Sequence, residues 1–407
     1  MQKGHFIKKE KCKDSFSITN ISLMLRKKIL TVTHYTALYG ANRSLLNLIE
    51  GSQSELEWIV ICKRSTKGSG DIRDELDRIG VKHITIPFRI DVYSLSVTSL
   101  FRMCVFPFEF LFNFLIACFI AFYARIKKVQ VVHTNSSATC FGAYISLSAG
   151  LRHIWHFREF LDIDYHYDYK FGPKYLKFWG DKASCIIAVS SAVKTRAVVG
   201  RNIKTKTHVL YNGVIFNNNM PPIKYKSIRH HIELVIVGLI DSAKNQLQAI
   251  EACRLLNRRG ISATLKVIGE PNGSYYQCLT KYVRENNLQE FVSFPGYKSE
   301  LSSIFNSAHI TIMASPNEGM GRVTIESMVF STPVVGFDSA GTSELIEHGE
   351  TGILYSGDSS ALADAIALLA ENPALYRQLI EHGYEAVKQR FTIESYVEAF
   401  INLVQTK

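Results

Sequence analysis

The sequence predicts an α/β protein of two Rossmann-like, doubly wound domains that face a central cleft. Three observations carry this reading. Short apolar runs alternate with helical stretches through most of the 407 residues, the pattern of parallel sheets covered by helices. The alternation pauses once, at Phe216–His231, where Asn217-Asn218-Asn219 and Pro221-Pro222 read as a linker. It then resumes and runs to the C-terminus. At about 150 residues per domain the length agrees with two or three domains. A chain that is 47% hydrophobic and 20% charged holds enough apolar surface for large cores, which excludes full disorder and a collagen-like fibre. No set of apolar runs of about 20 residues recurs, so a polytopic membrane protein is excluded as well.

The elements follow in order. Residues 1–28 form a basic N-terminal extension. Its apolar stretch Ile18–Leu25 is short and interrupted by Asn20 and Ser22, and is not read as a signal peptide. The first domain, 29–215, opens with the strand Ile29–Thr33 and a helix over Ser44–Glu50. Strands follow at Leu56–Cys62, His83–Pro87, Val129–Thr134, His153–Phe157 and Cys185–Val189, with helices such as Asp71–Ile79 and Ala138–Ala149 between them. After the linker, 216–232, the second domain covers 233–407. Its strands are Glu233–Gly238, Thr264–Gly269, Phe291–Pro295, Ile310–Ala314, Pro333–Phe337 and Gly352–Tyr355. The last helix is a candidate to pack back on the first domain. Ligands of open α/β sheets sit at the carboxyl ends of strands, so both domains present loops to one crevice.

Charge divides the chain. Residues 1–215 carry 31 Lys and Arg against 16 Asp and Glu, whereas residues 216–407 carry 16 against 20. The basic half suits an anionic partner, either nucleic acid, anionic lipid or a phosphorylated acceptor, or is simply a soluble face. It also holds the Phe-rich stretch Met103–Ala124, which Pro107, Glu109 and Asn113 interrupt. Its unbroken part, Phe114–Ala124, is too short for a bilayer core of about 30 Å. A buried helix is the favoured reading, and a helix in the membrane interface the sharper one. The eight cysteines make no C-x-x-C pair, so zinc-ribbon and thioredoxin-like readings lack support and a reducing compartment is expected.

The most informative segment is Ser315-Pro-Asn-Glu318-Gly-Met-Gly-Arg-Val-Thr-Ile-Glu326. An apolar strand runs into it and a helix runs out of it. Gly319 and Gly321 allow close backbone approach, and the first N–H groups of the helix lack partners within it, which suits a diphosphate. Glu318 and Glu326 cannot hold phosphate themselves. They suit hydroxyl groups, as acceptors for a ribose and a sugar. The plain alternative is a capping Glu318, a solvated Glu326 and glycines that serve only the turn.

The run Glu318–Glu326, EGMGRVTIE, resembles the E-x7-E signature of family-4 retaining glycosyltransferases, which have the GT-B fold. The resemblance implies that Glu318 contacts the donor sugar, that Glu326 holds the ribose, and that backbone amides at Met320 and Gly321 meet the diphosphate. VGLIDSAKNQ, residues 237–246, is similar to the first strand and loop of the family's second domain. There Lys244 matches the lysine that neutralises the diphosphate. Leu239 stands where the family often has a basic residue, which leaves Arg322 or Arg158 to supply a second cation. Residues 340–354 resemble the segment that follows the E-x7-E unit.

In the first half, HYTALYGANRSLLNLI, residues 34–49, resembles the first loop and helix of bacterial polysaccharide-building members. This implies that Gly40 admits substrate and that Asn42 and Arg43 edge the acceptor side. VSSAVKTRAV and VLYNGVIF match the end of the family's first domain. WHFREF, residues 155–160, follows a strand. By resemblance His156 contacts the donor sugar, while Arg158 and Glu159 lie near the phosphates or the acceptor. The other reading of His156 is a satisfied core residue.

The resemblance implies a hexosyltransferase-type enzyme that moves a sugar, with retention, from a nucleoside-diphosphate sugar to a lipid-linked or polysaccharide acceptor. UDP is the expected nucleotide, and lipopolysaccharide or capsule the expected product class. No cofactor and no essential metal are expected. Asp162-Ile163-Asp164 forms a D-x-D pattern, a metal motif in another glycosyltransferase fold, and is read here as part of a polar loop. A cytoplasmic enzyme held peripherally on the anionic inner face of the plasma membrane follows, with no nucleic-acid partner. An NAD-dependent oxidoreductase on tandem Rossmann domains would want G-x-G-x-x-G, which is missing. A nucleic-acid binder would want an RRM, zinc-finger or KH signature. A sugar-binding protein without catalysis stays open.

Overall fold

The computed structural model describes residues 26–64, 70–94, 99–164, 166–271 and 273–406. Most of the predicted N-terminal extension lies outside these residues. The first sheet has seven parallel strands: β1 (Lys27–Thr33), β2 (Leu56–Lys63), β3 (Lys82–Ile86), β5 (Val131–Thr134), β6 (Arg152–Phe157), β8 (Cys185–Ala188) and β9 (Thr207–Val209). Their order is β3-β2-β1-β5-β6-β8-β9. Two short strands, β4 (Val92–Ser94) and β7 (Tyr167–Tyr169), pair antiparallel beside it. The second sheet is parallel too, with β10 (Ile232–Val237), β11 (Ala263–Ile268), β12 (Val292–Gly296), β13 (Ile310–Met313), β14 (Val334–Phe337) and β15 (Ile353–Tyr355) in the order β12-β11-β10-β13-β14-β15. The central strands are covered on both faces, so they read as continuous apolar runs rather than alternating ones.

Each sheet reverses its strand order beside its first strand, between β1 and β5 and between β10 and β13. Those reversals open the crevices in which such sheets take ligands. The loop 34–39 leaves β1 there, and the loop 314–321 leaves β13. In chain order the helices of the first half are α1 (Gly40–Ser52), α2 (Ile72–Arg78), α3 (Ser99–Ile126), α4 (Phe141–Ala149), α5 (Leu161–Asp164), α6 (Pro173–Asp181) and α7 (Ser191–Val193). One face of the first sheet packs on α3, α4 and α6 through Trp155, Phe141 and Tyr144.

The other face packs on α1, α2 and the last helix, Ile393–Gln405, through Trp58, Leu45 and Phe400. The last helix therefore lies on the first domain. Its return is fixed by Val214 N donating to Phe391 O (3.0 Å) and Ile393 N donating to Ile215 O (2.8 Å). At Gly213 a Cβ would stand 2.5 Å from Thr392 O, so only glycine lets the two strands of chain cross this closely. Within the linker, Lys226 Nζ reaches into the second domain and donates to Phe305 O and Ala308 O.

The Phe-rich stretch departs from its favoured reading. It is part of one 28-residue helix, α3, that runs through Pro107, and only one of its faces is buried. Its polar residues do not interrupt it, because they turn toward the protein. Asn113 accepts from Arg89 N and donates to Arg89 O, both at 2.8 Å. Glu109 takes an ion pair from Lys170 at 2.6 Å.

Candidate active site

The second domain supplies the floor of the cleft. β13 leads into the 314–321 loop, and α11 (Arg322–Val329) starts after Gly321 at φ 75°, without a side-chain cap. Helices α8 (Gln246–Arg258), α9 (Gly273–Glu285) and α10 (Ser302–Ser307) precede it in the chain. The first N–H groups of α11 thus open toward the cleft, where an anion is favoured. Beside them lies the loop that leaves β10. Gly238 turns that loop at φ 154°, a conformation that favours glycine, and the Lys244 stem runs beside it. Ser315 Oγ ties the two loops by donating to Ala243 O (2.7 Å). Lys244 Nζ then meets Glu318 Oε1 at 2.5 Å. One turn into α11, Glu326 pairs with Arg322 at 2.9 Å and both side chains are mostly buried.

The first domain forms the opposite wall, and contacts across the cleft hold the two together. Arg322 Nη1 donates to Ser44 Oγ (2.9 Å). Arg43 Nη2 donates to Ser299 O (3.1 Å) and Tyr297 OH (3.3 Å). Tyr39 OH donates to Glu270 Oε2 (3.1 Å). Glu344, on α12 (Ala340–Leu345), accepts from Ser191 N (2.7 Å) and Ala192 N (2.6 Å) at the start of α7. Its carboxylate therefore caps a helical turn of the other domain. Gly319 lies against Arg158, where a Cβ would stand 2.6 Å from Arg158 O.

Lys244, Glu318, Gly319, Gly321, Arg322 and Glu326 are thus brought together. Gly40 joins them across the cleft, since a Cβ there would lie 3.6 Å from Arg322 Cδ. Arg43 sits at the cleft mouth as a bridge between domains. Met320 contributes more than its backbone: its buried Sδ accepts from Asn212 N and Nδ2, both at 3.1 Å.

Three predicted residues are placed otherwise. Asn42 is fully buried and shapes the loop after β1. It accepts from Thr33 Oγ1 (2.7 Å) and donates to Ala37 O (2.9 Å) and Tyr35 O (3.0 Å). The Arg158 guanidinium turns inward, not to the cleft. It donates to Asn135 Oδ1 (2.8 Å), Asn212 Oδ1 (2.6 Å) and Tyr396 OH (3.1 Å). His156 is wholly buried and faces the last helix. Its Nδ1 meets Arg158 Nη2 at 3.1 Å, and its Nε2 has no partner among the described residues. Burial, and then the Arg158 charge, hold its pKa well below the usual histidine value, so it is a neutral core residue. Strand alternation explains the placement: Ile154 and His156 share the face that the last helix covers.

Glu159 is half-buried at the strand ends and bonded to Ser136 Oγ. Burial raises its carboxyl pKa to about 7, against the lowering effect of Ser136 and Arg158. In the D-x-D segment, Asp162 is engaged by Arg196 (3.1 Å) and Arg201 (3.4 Å). Asn212, Glu344, Glu270 and Ser299 carry cleft contacts that sequence reasoning did not single out. Asn212 and Glu344 had a signal, lying within the VLYNGVIF match and the 340–354 match.

Two nucleotide-type sheets that face each other, with a helix N-terminus and a Lys–Glu pair between them, are the arrangement of the GT-B fold. Residues 38–217 match the family described as Glycosyltransferase Family 4, and residues 224–386 match Glycosyl transferases group 1. The chain belongs to the family-4 type of GT-B glycosyltransferases. It is similar to N-acetyl-alpha-D-glucosaminyl L-malate synthase of Bacillus anthracis, 22% identical over 55% of this chain and 60% of the relative. It also resembles the poly(ribitol-phosphate) alpha-N-acetylglucosaminyltransferase of Staphylococcus aureus, 24% identical over 62% of this chain and 50% of the relative. The chain spans from 39% to 60% of the length of the first curated relatives it matches. Among solved structures, Anabaena HepE in complex with UDP and glucose superposes with a TM-score of 0.75 at 18% identity, over 93% of this chain and 99% of HepE.

Proposed function

We infer that the chain transfers a hexosyl group, with retention, from a UDP-sugar to a glycan or lipid-linked acceptor in cell-surface glycan synthesis. The observation that carries this is the uncapped N-terminus of α11 beside the Lys244–Glu318 pair, at the strand-order reversal of the second sheet. The UDP bound to HepE and the α-glycosyl products in the two relatives' names support the donor and the stereochemistry. The poly(ribitol-phosphate) in one relative's name supports a glycan-type acceptor.

In this reading the diphosphate lies on the α11 amides. Lys244 exchanges part of its contact with Glu318 for the phosphate oxygens, and Glu318 turns its acceptor capacity to hydroxyls of the donor sugar. Glu326 accepts from the ribose. The bond from the anomeric carbon to the leaving phosphate breaks, and the acceptor oxygen attacks the same face. The acceptor's proton passes to the leaving phosphate oxygen. Charge that grows on the diphosphate is stabilised by groups already in place, which lowers the barrier most. Closure of the domains positions acceptor and donor and excludes water. Lys244 and the helix amides supply the positive charge, so no metal is required.

The test is Glu318→Ala assayed for transfer and for UDP binding. The expected result is retained UDP binding with turnover lost by at least ~100-fold, as for removal of a group that acts on the transition state. Unchanged turnover would reject the role of Glu318.

A further inference from the structure

The helix α3 presents a continuous apolar stripe to the outside. Phe108, Leu111, Leu115, Phe119, Phe122 and Ile126 are exposed, with Phe108 at 73%, Phe119 at 76% and Phe122 at 67%. Their spacing of three and four residues places them on one face of the helix. The stripe from 108 to 126 runs for about 27 Å at ~1.5 Å per residue. Single exposed apolar side chains are ordinary, but a contiguous aromatic ridge marks an interaction surface.

By length and composition Cys104–Ile126 could cross a bilayer. Its inner face argues against crossing. Phe106, Ala117, Ile120, Ala121 and Ala124 are part of the core of the first domain. Asn113 holds the backbone of Arg89, and Glu109 holds Lys170. Withdrawing α3 to span a membrane would open that core and strip those bonds. The helix can only lie flat, with its outer face in an apolar layer.

The rim of the stripe is basic. Arg125, Lys127 and Lys128 are exposed at its C-terminal end, and Arg89 at the other. Lys82 and Lys127 both lie over the ring of Tyr123, at 5.6 and 5.9 Å. A second copy of this chain on the stripe would set these cations against their own equivalents. An anionic bilayer complements both features, taking phenyl groups below its headgroups and ammonium groups among them. The negative balance of residues 216–407 favours the orientation with the second domain turned away from the lipid.

We propose that α3 is an in-plane docking helix that holds the first domain on an anionic lipid surface. The proposal is independent of the donor chemistry. It puts the first domain, one wall of the cleft, at the lipid surface.

The full chain is sedimented with vesicles of phosphatidylcholine plus phosphatidylglycerol, and with phosphatidylcholine alone. Binding is expected to the anionic vesicles and to weaken as salt rises. Replacing Phe108, Phe119 and Phe122 together by Ser should lower it by roughly 10-fold per ring, hence ~10³-fold, from the value of one phenyl group removed from water. UDP binding and far-UV circular dichroism should be unchanged. A second variant, Phe119→Trp, keeps the face apolar. The native Trp58, Trp155 and Trp179 are all buried, so they emit as an unquenched background and the introduced indole is the one the acyl chains reach. Its emission should be quenched by brominated acyl chains. Failure of the wild type to bind, equal binding by the triple Ser variant, or an unquenched indole in vesicle-bound Phe119→Trp protein would each overturn the proposal. So would self-association that the triple variant abolishes, without vesicle binding.

Discussion

Gly319→Ala isolates domain closure from folding. Gly319 does not occupy positive φ, so alanine adds no backbone strain there. Its Cβ would stand 2.6 Å from Arg158 O and 3.7 Å from the Cα of Glu159. An ordinary contact is wider by about 1 Å, and a carbonyl on a buried strand end cannot swing aside as a side chain does. Because Gly319 and Arg158 belong to different domains, the cleft can relieve the contact by opening. Overpacking of this kind costs about 1–3 kcal/mol. At about 1.4 kcal/mol per decade, the closed form falls by roughly 5- to 150-fold relative to the open one. Turnover should fall by that factor while UDP affinity stays near wild type. The radius of gyration from X-ray scattering should rise in the UDP-bound variant. Wild-type turnover in a folded Gly319→Ala protein would refute the reasoning.

Three further outcomes follow from the same structure. Glu159 has its carboxyl pKa raised from 4.5 to about 7. Between those values the unfolded chain releases a proton that the native state retains, so native stability falls as pH rises through this window, by at most about 3–4 kcal/mol. Glu159→Gln should remove that slope in urea unfolding at pH 4.5 and pH 7.5, and an unchanged slope would dismiss Glu159 as its source. Asn212→Ala removes the Oδ1 that accepts from the buried Arg158 and one of the two donors to Met320 Sδ, the backbone N–H remaining. It should cost about 1–3 kcal/mol in unfolding free energy, and wild-type stability would show the network to be dispensable. A chelator should leave turnover unchanged, whereas loss of activity restored by Mg²⁺ would show that Lys244 and the helix amides do not suffice.

The parallel strands were legible because burial on both faces writes them as unbroken apolar runs, from Ile29–Thr33 to Pro333–Phe337. The second-domain wall of the cleft was legible because one short segment, 314–326, carries the strand end, the glycines and the helix start together. The first-domain wall was not. Whether His156 faces the cleft depends on which face of β6 the last helix covers, and that helix lies at the far end of the chain. The burial of Arg158 depends likewise on Asn135, Asn212 and Tyr396, three distant segments. Asn42 has the polarity of a substrate contact, yet the turn after β1 uses its hydrogen-bonding capacity for the loop's own backbone and Thr33. In α3 both faces are apolar, so hydrophobic pattern could not say which one is core. Only Asn113 and Glu109, turned inward, reveal the answer after the fact.

The central claim is a nucleoside-diphosphate site built on α11, Lys244 and Glu326. Calorimetric titration of the full chain with UDP, GDP and ADP, in wild type and in Glu326→Ala, tests it most directly. The account predicts that UDP binds the wild type, and that loss of the ribose acceptor weakens it by about 10- to 100-fold, the worth of a hydrogen bond to a charged group. Absence of binding by any of the three to the folded protein, or equal UDP affinity in Glu326→Ala, would contradict it.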